Sequence, residues 1–229
     1  MNEIDKIALD FPFYGRRRIT EQLKAMGYNL NQKRVARLMQ QMGIQAIYPK
    51  PKKGRWEKRY GKFEYLLKGL SISKVNEVWA TDITYIPVNG GFLYLAAILD
   101  LYSRYVIAWE ISNSLESDFC LKVAQKAFDI GAPRIFNSDQ GVQYTSHKHV
   151  EFLREQNVEI SMSGRGRCWD NIIVERFWRT LKYEEVYIKC YDDSLDAVQN
   201  IGEYISVYNS KRLHSSIGYR TPEEVFTAA

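Results

Sequence analysis

The sequence predicts an α/β protein, a mixed five-stranded sheet with flanking helices, preceded by a small all-α segment. Three observations point there. From Val75 onward apolar residues recur with the period of two that strands require, in three consecutive runs separated by turn residues. After those runs, helical patterns alternate with short strand patterns, the order in which helices come to lie on a sheet. Before them the chain is strongly basic. Residues 16–62 hold fourteen Lys or Arg against two Glu, Glu21 and Glu57, a local excess of twelve positive charges; since the whole chain carries +5, the remainder carries −7.

Within the basic region, "RRRITEQLKAMG" places Ile19, Leu23 and Met26 at helical spacing, with Gly27 positioned to end the helix. The next stretch, "NLNQKRVARLMQQMG", opens on Asn31 as an N-cap, repeats Val35, Leu38, Met39 and Met42 on one face and stops at Gly43. Two short helices joined by a tight turn predict a helix-turn-helix within residues 1–47. Lys33, Arg34, Arg37 and Gln41 lie off the apolar stripe, and Arg16, Arg17 and Arg18 open the preceding helix; such residues grip phosphates and read base edges. A plain helical hairpin has the same periodicity. The charge favours nucleic acid, because twelve excess positive charges in 47 residues repel one another unless a polyanion is near. "YPKPKKGRWEKRYGKF" then begins a basic linker, residues 48–74, able to track a DNA backbone.

The sheet domain is expected over residues 75–190. "NEVWATDITYI", the turn "NGG" at Asn89 to Gly91, "FLYLAAILDLY" and "SRYVIAWEIS" read as an antiparallel meander. A helix around Ser117 to Ile130, the strand "PRIFNSD", the helix "SHKHVEFLREQN", the strand "VEISMS" and a long helix from about Asp170 follow. Crossovers of this kind add parallel strands, and the resulting order βββαβαβα is that of the ribonuclease H-like fold. Residues 191–229 are expected to give one more helix, with Val198, Ile201, Ile205 and Val207, and a polar tail.

No apolar run approaches the roughly 18 residues of a membrane span, and the N-terminus has no basic stretch followed by an apolar one, so a cytoplasmic location, with the nucleoid, is expected. Three widely spaced cysteines without a C-x-x-C pair argue against a structural zinc site or a disulfide framework.

The acidic residues carry the chemistry. In "VNEVWATDITYIPV", alternation puts Val78, Ala80, Asp82, Thr84 and Ile86 on one face, so Asp82 interrupts a largely small or apolar surface. A buried carboxylate without a partner costs several kcal/mol, so it needs a donor, a cation or water. Asp139 stands where an apolar strand runs into the loop "SDQGVQYTS"; the deduced topology lays this strand beside the first, where the two aspartates face each other. Glu175 lies on the helix "DNIIVERFWRTLKYE", expected to be capped by Asp170, with Ile173, Phe177 and Leu181 inward and Glu175, Arg179 and Lys182 sharing another face. That face is either an exposed ion-pair ladder or a metal ligand flanked by phosphate clamps. Asp100, also at a strand end, reads as a turn residue or a partner for Arg104; His147 and His149 read as exposed in a first helical turn. Arg212 and His214 are expected either to touch DNA or to fix the tail.

"ATDITY", "NSDQGVQYTS" and "SMSGRGRCWDNIIVERFWRTLKYE" resemble the three catalytic blocks of OrfB-type insertion-sequence transposases, which share a DDE core with retroviral integrases. Positions 140 to 174, 35 residues, separate Asp139 from Glu175, the spacing the resemblance calls for. "FPFYGRRRITEQL" with "QKRVARLM" is similar to the family's helix-turn-helix, and "YNSKRLHSSIGYRTPEEV" to its C-terminal signature.

The resemblance implies that Asp82, Asp139 and Glu175 coordinate two divalent ions, normally Mg²⁺ with Mn²⁺ as a substitute. It implies cleavage at the element's ends to leave a 3′-hydroxyl, then attack of that hydroxyl on a second phosphodiester. Lys182 matches a basic residue that contacts DNA, and Asn171 an asparagine just before the glutamate; Arg179 is added by helical geometry. The partners implied are the element's terminal inverted repeats, target DNA, further copies of the chain on DNA, and an upstream OrfA-type protein. Two other functions remain open at this point: a ribonuclease H-like nuclease acting on hybrids, and a non-catalytic DNA-binding regulator.

Overall fold

The computed structural model describes residues 1–46, 63–164 and 171–228. The part of the expected linker from Tyr48 to Lys62 and the cap expected at Asp170 lie outside the described residues. The chain divides into two compact units, Met1–Trp56 and Glu57–Ala229.

The first unit contains α1 (Asn2–Asp10), α2 (Arg16–Ala25) and α3 (Gln32–Gln41). The Asn31 side chain accepts a hydrogen bond from the Arg34 amide at 2.9 Å, the expected N-cap of α3. Gly27 and Gly43, at φ +91° and +68°, reverse the chain after α2 and α3, a conformation that a Cβ disfavours. Helix α1 was not anticipated, since its inward residues Ile4 and Ile7 make only one helical repeat. Tertiary contact decides it: both pack on Ile19, Leu23, Val35 and Met39.

The second unit is built on β1 (Val78–Val88), β2 (Gly91–Asp100), β3 (Val106–Ser112), β4 (Ile135–Ser138) and β5 (Glu159–Met162), in the sheet order β3-β2-β1-β4-β5. The first three strands pair antiparallel, while β4 joins β1 and β5 joins β4 in parallel, as expected. Helices α4 (Ser117–Phe128) and α5 (His147–Glu155) cover one face with Trp79, Ile98, Phe136 and Tyr144. On the other face lie α6 (Ile172–Leu181), a π-helical turn (Lys182–Val186), the single turn α7 (Tyr187–Lys189) and α8 (Ser194–Ser210). They close over Val78, Ala80, Leu95 and Leu99.

Several expectations need correction. The inward stripe of α8 is Ala197, Ile201, Ile205 and Tyr208, whereas Val198 and Val207 are exposed. Tyr208 supplies the missing anchor, its ring edge-on to Phe177 at 5.0 Å. The expected polar tail carries a further helix: "PEEVFT" forms α9 (Pro222–Thr227), with a reciprocal capping box between Thr221 and Glu224 and with Phe226 stacked on Tyr105 at 4.5 Å. His149 is not exposed but 1% accessible, because the phase of α5 turns His149, Val150 and Leu153 toward the sheet. Its ring meets Phe136 and Tyr144, neither ring nitrogen has a hydrogen-bond partner among the described residues, and burial pushes its pKa down to about 4.

Candidate active site

Register brings the two aspartates together. The last paired residues of β1 and β4 are Ala80 and Asn137; two residues further along each chain stand Asp82 and Asp139. By alternation Asp82 shares the face of Val78 and Ala80, the face covered by α6. There the Trp178 indole donates to Asp82 Oδ2 at 3.0 Å.

Asp139 is exposed at the carboxyl end of β4, where α/β sheets collect their sites. Its Oδ1 accepts from the Gly141 amide at 2.8 Å, which folds the loop back on the carboxylate. A Cβ on Gly141 would stand 2.7 Å from that same oxygen, so a side chain there would push the carboxylate out of this position. Thr145 closes the loop by donating its amide and hydroxyl to the Gly141 carbonyl at 3.0 and 3.1 Å.

Glu175 lies exposed in the first turn of α6. The inward residues of this helix are Val174, Phe177, Trp178 and Leu181, with Ile173 only half-buried, a correction to the expected stripe of Ile173, Phe177 and Leu181. Asn171, half-buried, occupies the N-cap position where Asp170 was expected, and its side chain makes no capping bond. The helix is rotated enough to aim Trp178 at Asp82, a residue that the sequence did not single out. The signal was Asp82 itself, a carboxylate in an apolar face that required a donor.

The electrostatics tie the three acids together. Burial pushes the Asp82 pKa up to about 6; hydrogen bonds from the Ile83 amide and Trp178 oppose this, while the negative charges of Asp139 and Glu175 reinforce it. None of the three takes part in an ion pair among the described residues. Lys182, the first residue of the π-helical turn, is held below its ordinary pKa by burial and partly restored by the charge of Asp82. Arg179 is exposed, its guanidinium 5.8 Å from the Tyr183 ring centre. Among the described residues no three of His, Cys, Asp and Glu are drawn together as a ready-made ion cage. The donor set still has the chemistry of a hard-cation site: carboxylate oxygens that repel one another and form no ion pair among the described residues. Mg²⁺ binds in that manner, through a few carboxylates completed by substrate phosphate.

The other candidates separate. Asp100 is a turn residue: fully buried, it accepts from the Asn76 amide at 2.8 Å and from the Ser103 amide and hydroxyl at 2.7 Å each. Arg212 holds the tail, donating to both Glu184 oxygens, with Tyr204 donating to the same carboxylate at 2.7 Å. His214 faces Ser216, Nδ1 to Oγ 3.0 Å. Arg16, Arg17, Arg18, Lys33, Arg34 and Arg37 are all exposed in the first unit.

Comparison with known proteins gives consistent findings. The integrase core domain family matches residues 73–168 and, through a second description of that domain, 156–222; an HTH-like domain matches 1–52. The chain is 35% identical to the transposase for insertion sequence element IS904 of Lactococcus lactis subsp. lactis, over 92% of this chain and 86% of that protein. It is 32% identical to the transposase InsF for insertion sequence IS3A of Escherichia coli (strain K12), over 92% and 76% respectively. Among solved structures, the HTLV-2 integrase catalytic core domain in complex with magnesium superposes with a TM-score of 0.56 at 19% identity, covering 67% of this chain and 97% of that one. A simian T-cell lymphotropic virus intasome in complex with PP2A regulatory subunit B56 gamma gives 0.59 at 14% identity, over 98% and 74%. At these identities the structural likeness concerns the fold, the ribonuclease H-like fold of integrase cores.

Proposed function

The chain belongs to the insertion-sequence transposases built on an integrase core, and on that premise we propose that this DNA transposase cuts and joins strands at Asp82, Asp139 and Glu175. The observation that carries the assignment is that Asp82, set on the face beneath α6 with Trp178 on one oxygen, feels the negative charges of both Asp139 and Glu175, while none of the three acids is ion-paired among the described residues. Asp82, Asp139 and Glu175 would hold two divalent ions, Mg²⁺ or Mn²⁺, which when bound supply activation of the attacking oxygen and stabilisation of the leaving one in an in-line displacement.

The chain's own residues set the geometry. Trp178 fixes one oxygen of Asp82, and the Gly141 amide fixes one oxygen of Asp139, so neither carboxylate has to be ordered when substrate arrives. Lys182, Arg179 and Asn171 flank Glu175 and grip phosphate oxygens beside the scissile bond. In the first reaction water adds at phosphorus and a 3′-hydroxyl leaves. In the second that 3′-hydroxyl attacks another phosphodiester, whose own 3′-oxygen departs with the proton, so bond number is conserved and no nucleotide triphosphate is consumed. Arg16, Arg17, Arg18, Lys33, Arg34 and Arg37 bind the terminal repeats, and copies of the chain assemble on DNA, with an OrfA-type protein as partner, in the bacterial cytoplasm. Among the described residues no helix is long and apolar enough to cross a membrane.

The test is nicking and joining of DNA carrying the element's terminal repeats in Mg²⁺ or Mn²⁺. Asp139→Asn should lose at least about a thousandfold in both steps, since it removes a term of several kcal/mol. Thermal unfolding gives an independent readout: Mg²⁺ should raise the Tm of the wild type and leave Asp139→Asn unmoved. Wild-type activity in Asp139→Asn would remove the assignment, and cleavage of RNA–DNA hybrids without joining would favour a nuclease.

A further inference from the structure

On the adjoining side of α6 a cavity of about 890 Å³ opens between that helix, the π-helical turn, the end of α8 and the segment before α9. Four guanidinium groups line it, those of Arg104, Arg176, Arg179 and Arg212, together with His214. Its sole lining carboxylate among the described residues, Glu184, is already engaged by Arg212 and Tyr204. The remaining cations crowd one another. Arg104 is held below its ordinary pKa by burial, which Tyr208 and Asp100 oppose and the Arg176 charge reinforces; His214 is lowered by burial and then by Arg212 and Arg104, with Glu184 opposing.

The crowding is built into the backbone. Arg104 sits at φ +69°, a left-handed conformation that costs a side-chain-bearing residue about 1–2 kcal/mol. It is held there by its amide on the Asp100 carbonyl, 2.9 Å, and by guanidinium bonds to the Leu101 carbonyl and, at 3.3 Å, to Ser216 Oγ. A fold that sets four guanidinium groups around a cleft, at a conformational cost and with a single lining carboxylate among the described residues, is arranged for an anion.

The aromatic residues narrow its class. Tyr183 and Tyr219 line the cavity at 66% and 70% exposure, more open than apolar burial would explain. Arginines that pair with phosphates, interleaved with exposed rings on which bases stack, are the combination that holds unpaired nucleic acid. The helix connects this cavity to the acids: Arg176 follows Glu175 directly, and Arg179, four residues after Glu175, lines the cavity while sharing the Glu175 face. We propose that the cavity is a groove for single-stranded DNA, holding the unpaired strand that continues from the phosphodiester at Asp82, Asp139 and Glu175. The proposal rests on the transposase reading for the identity of that strand.

The test is arginine footprinting with phenylglyoxal, read residue by residue by mass spectrometry on the full Asp139→Asn chain, which on the transposase reading should bind DNA without cutting it. A duplex with a 3′ single-stranded tail should slow modification of Arg176 several-fold beyond the same duplex with blunt ends. Protection of Arg16, Arg17 and Arg18 without protection of Arg176 would overturn the groove and leave the transposase reading intact. Equal protection by the blunt duplex would overturn the single-stranded assignment, and equal protection by inorganic phosphate would reduce the cavity to a small-anion site. Nicking by the wild type, assayed in parallel, reports on the transposase reading separately. As a second measurement, the double variant Arg176→Glu and Tyr219→Ala, both positions exposed, should bind tailed DNA about tenfold more weakly and with a salt dependence shallower by about one counterion. Unchanged affinity and slope would overturn the proposal.

Discussion

Asp82 and Asp100 stand on adjacent antiparallel strands, each an acid within an apolar run, yet the fold treats them oppositely. Asp100 has no solvent exposure and receives three donors on its two oxygens, so its charge is satisfied within a turn. Asp82 has the Trp178 indole and one neighbouring amide, and faces two further negative charges. The first acid stabilises the native state; the second is destabilised by it and keeps its charge available for a ligand. An acid's place within an apolar strand run therefore says little about role. The count of donors and the sign of the surrounding charge decide it.

The contrast predicts opposite signs for two substitutions. Asp100→Ala should destabilise by roughly 3 kcal/mol or more, since three donors lose their acceptor, whereas Asp82→Asn should raise stability by roughly 2 kcal/mol at neutral pH while abolishing joining. Denaturant midpoints of the two variants check this, and equal destabilisation in both would end the distinction.

His149 offers a control from the other face of the sheet, an isolated titratable group not paired with the acids. Its pKa falls from 6.5 to about 4 on folding, so the unfolded chain binds more protons between those values, and stability must decrease as pH drops through that window. The loss should approach roughly 3 kcal/mol. His149→Leu should flatten that part of the pH–stability curve, while a curve as steep as the wild type's would assign the acid sensitivity elsewhere.

A smaller effect sharpens the contrast at Asp139. Gly141→Ala would drive a methyl group into its Oδ1, and a carboxylate displaced by about an ångström should cost on the order of a hundredfold in kcat, with DNA affinity unchanged. The smallest change is Trp178→Phe, which keeps the ring and removes the donor. About a tenfold loss in activity is expected, with stability altered by about 1 kcal/mol or less.

Much of this was written along the chain. The βββαβαβα order and the face assigned to Asp82 follow from apolar spacing, which the backbone converts directly into geometry. The neighbourhood of Asp82 and Asp139 follows from crossover topology. Glu175 became legible through its separation from Asp139 and its resemblance to a known block.

The remainder depended on tertiary contact. Helix α1 carries one apolar repeat and becomes distinct only because Ile4 and Ile7 find the core of α2 and α3. Trp178 and Asp82 are 96 residues apart, and whether an indole points at a carboxylate depends on a helix rotation that one residue's shift in phase would undo. The burial of His149 and the α8 stripe through Tyr208 have the same origin, since helical periodicity gives a set of faces and the sheet selects among them. The cluster of Arg104, Arg176, Arg179 and Arg212 joins a turn, helix α6 and the segment after α8, so no local pattern announces it. Sequence by itself determined the strands of the sheet, the helices between them and the acids they carry, because those depend on near neighbours in the chain. Only the tertiary structure decided which donors and charges surround each acid, because that depends on groups brought together from distant segments.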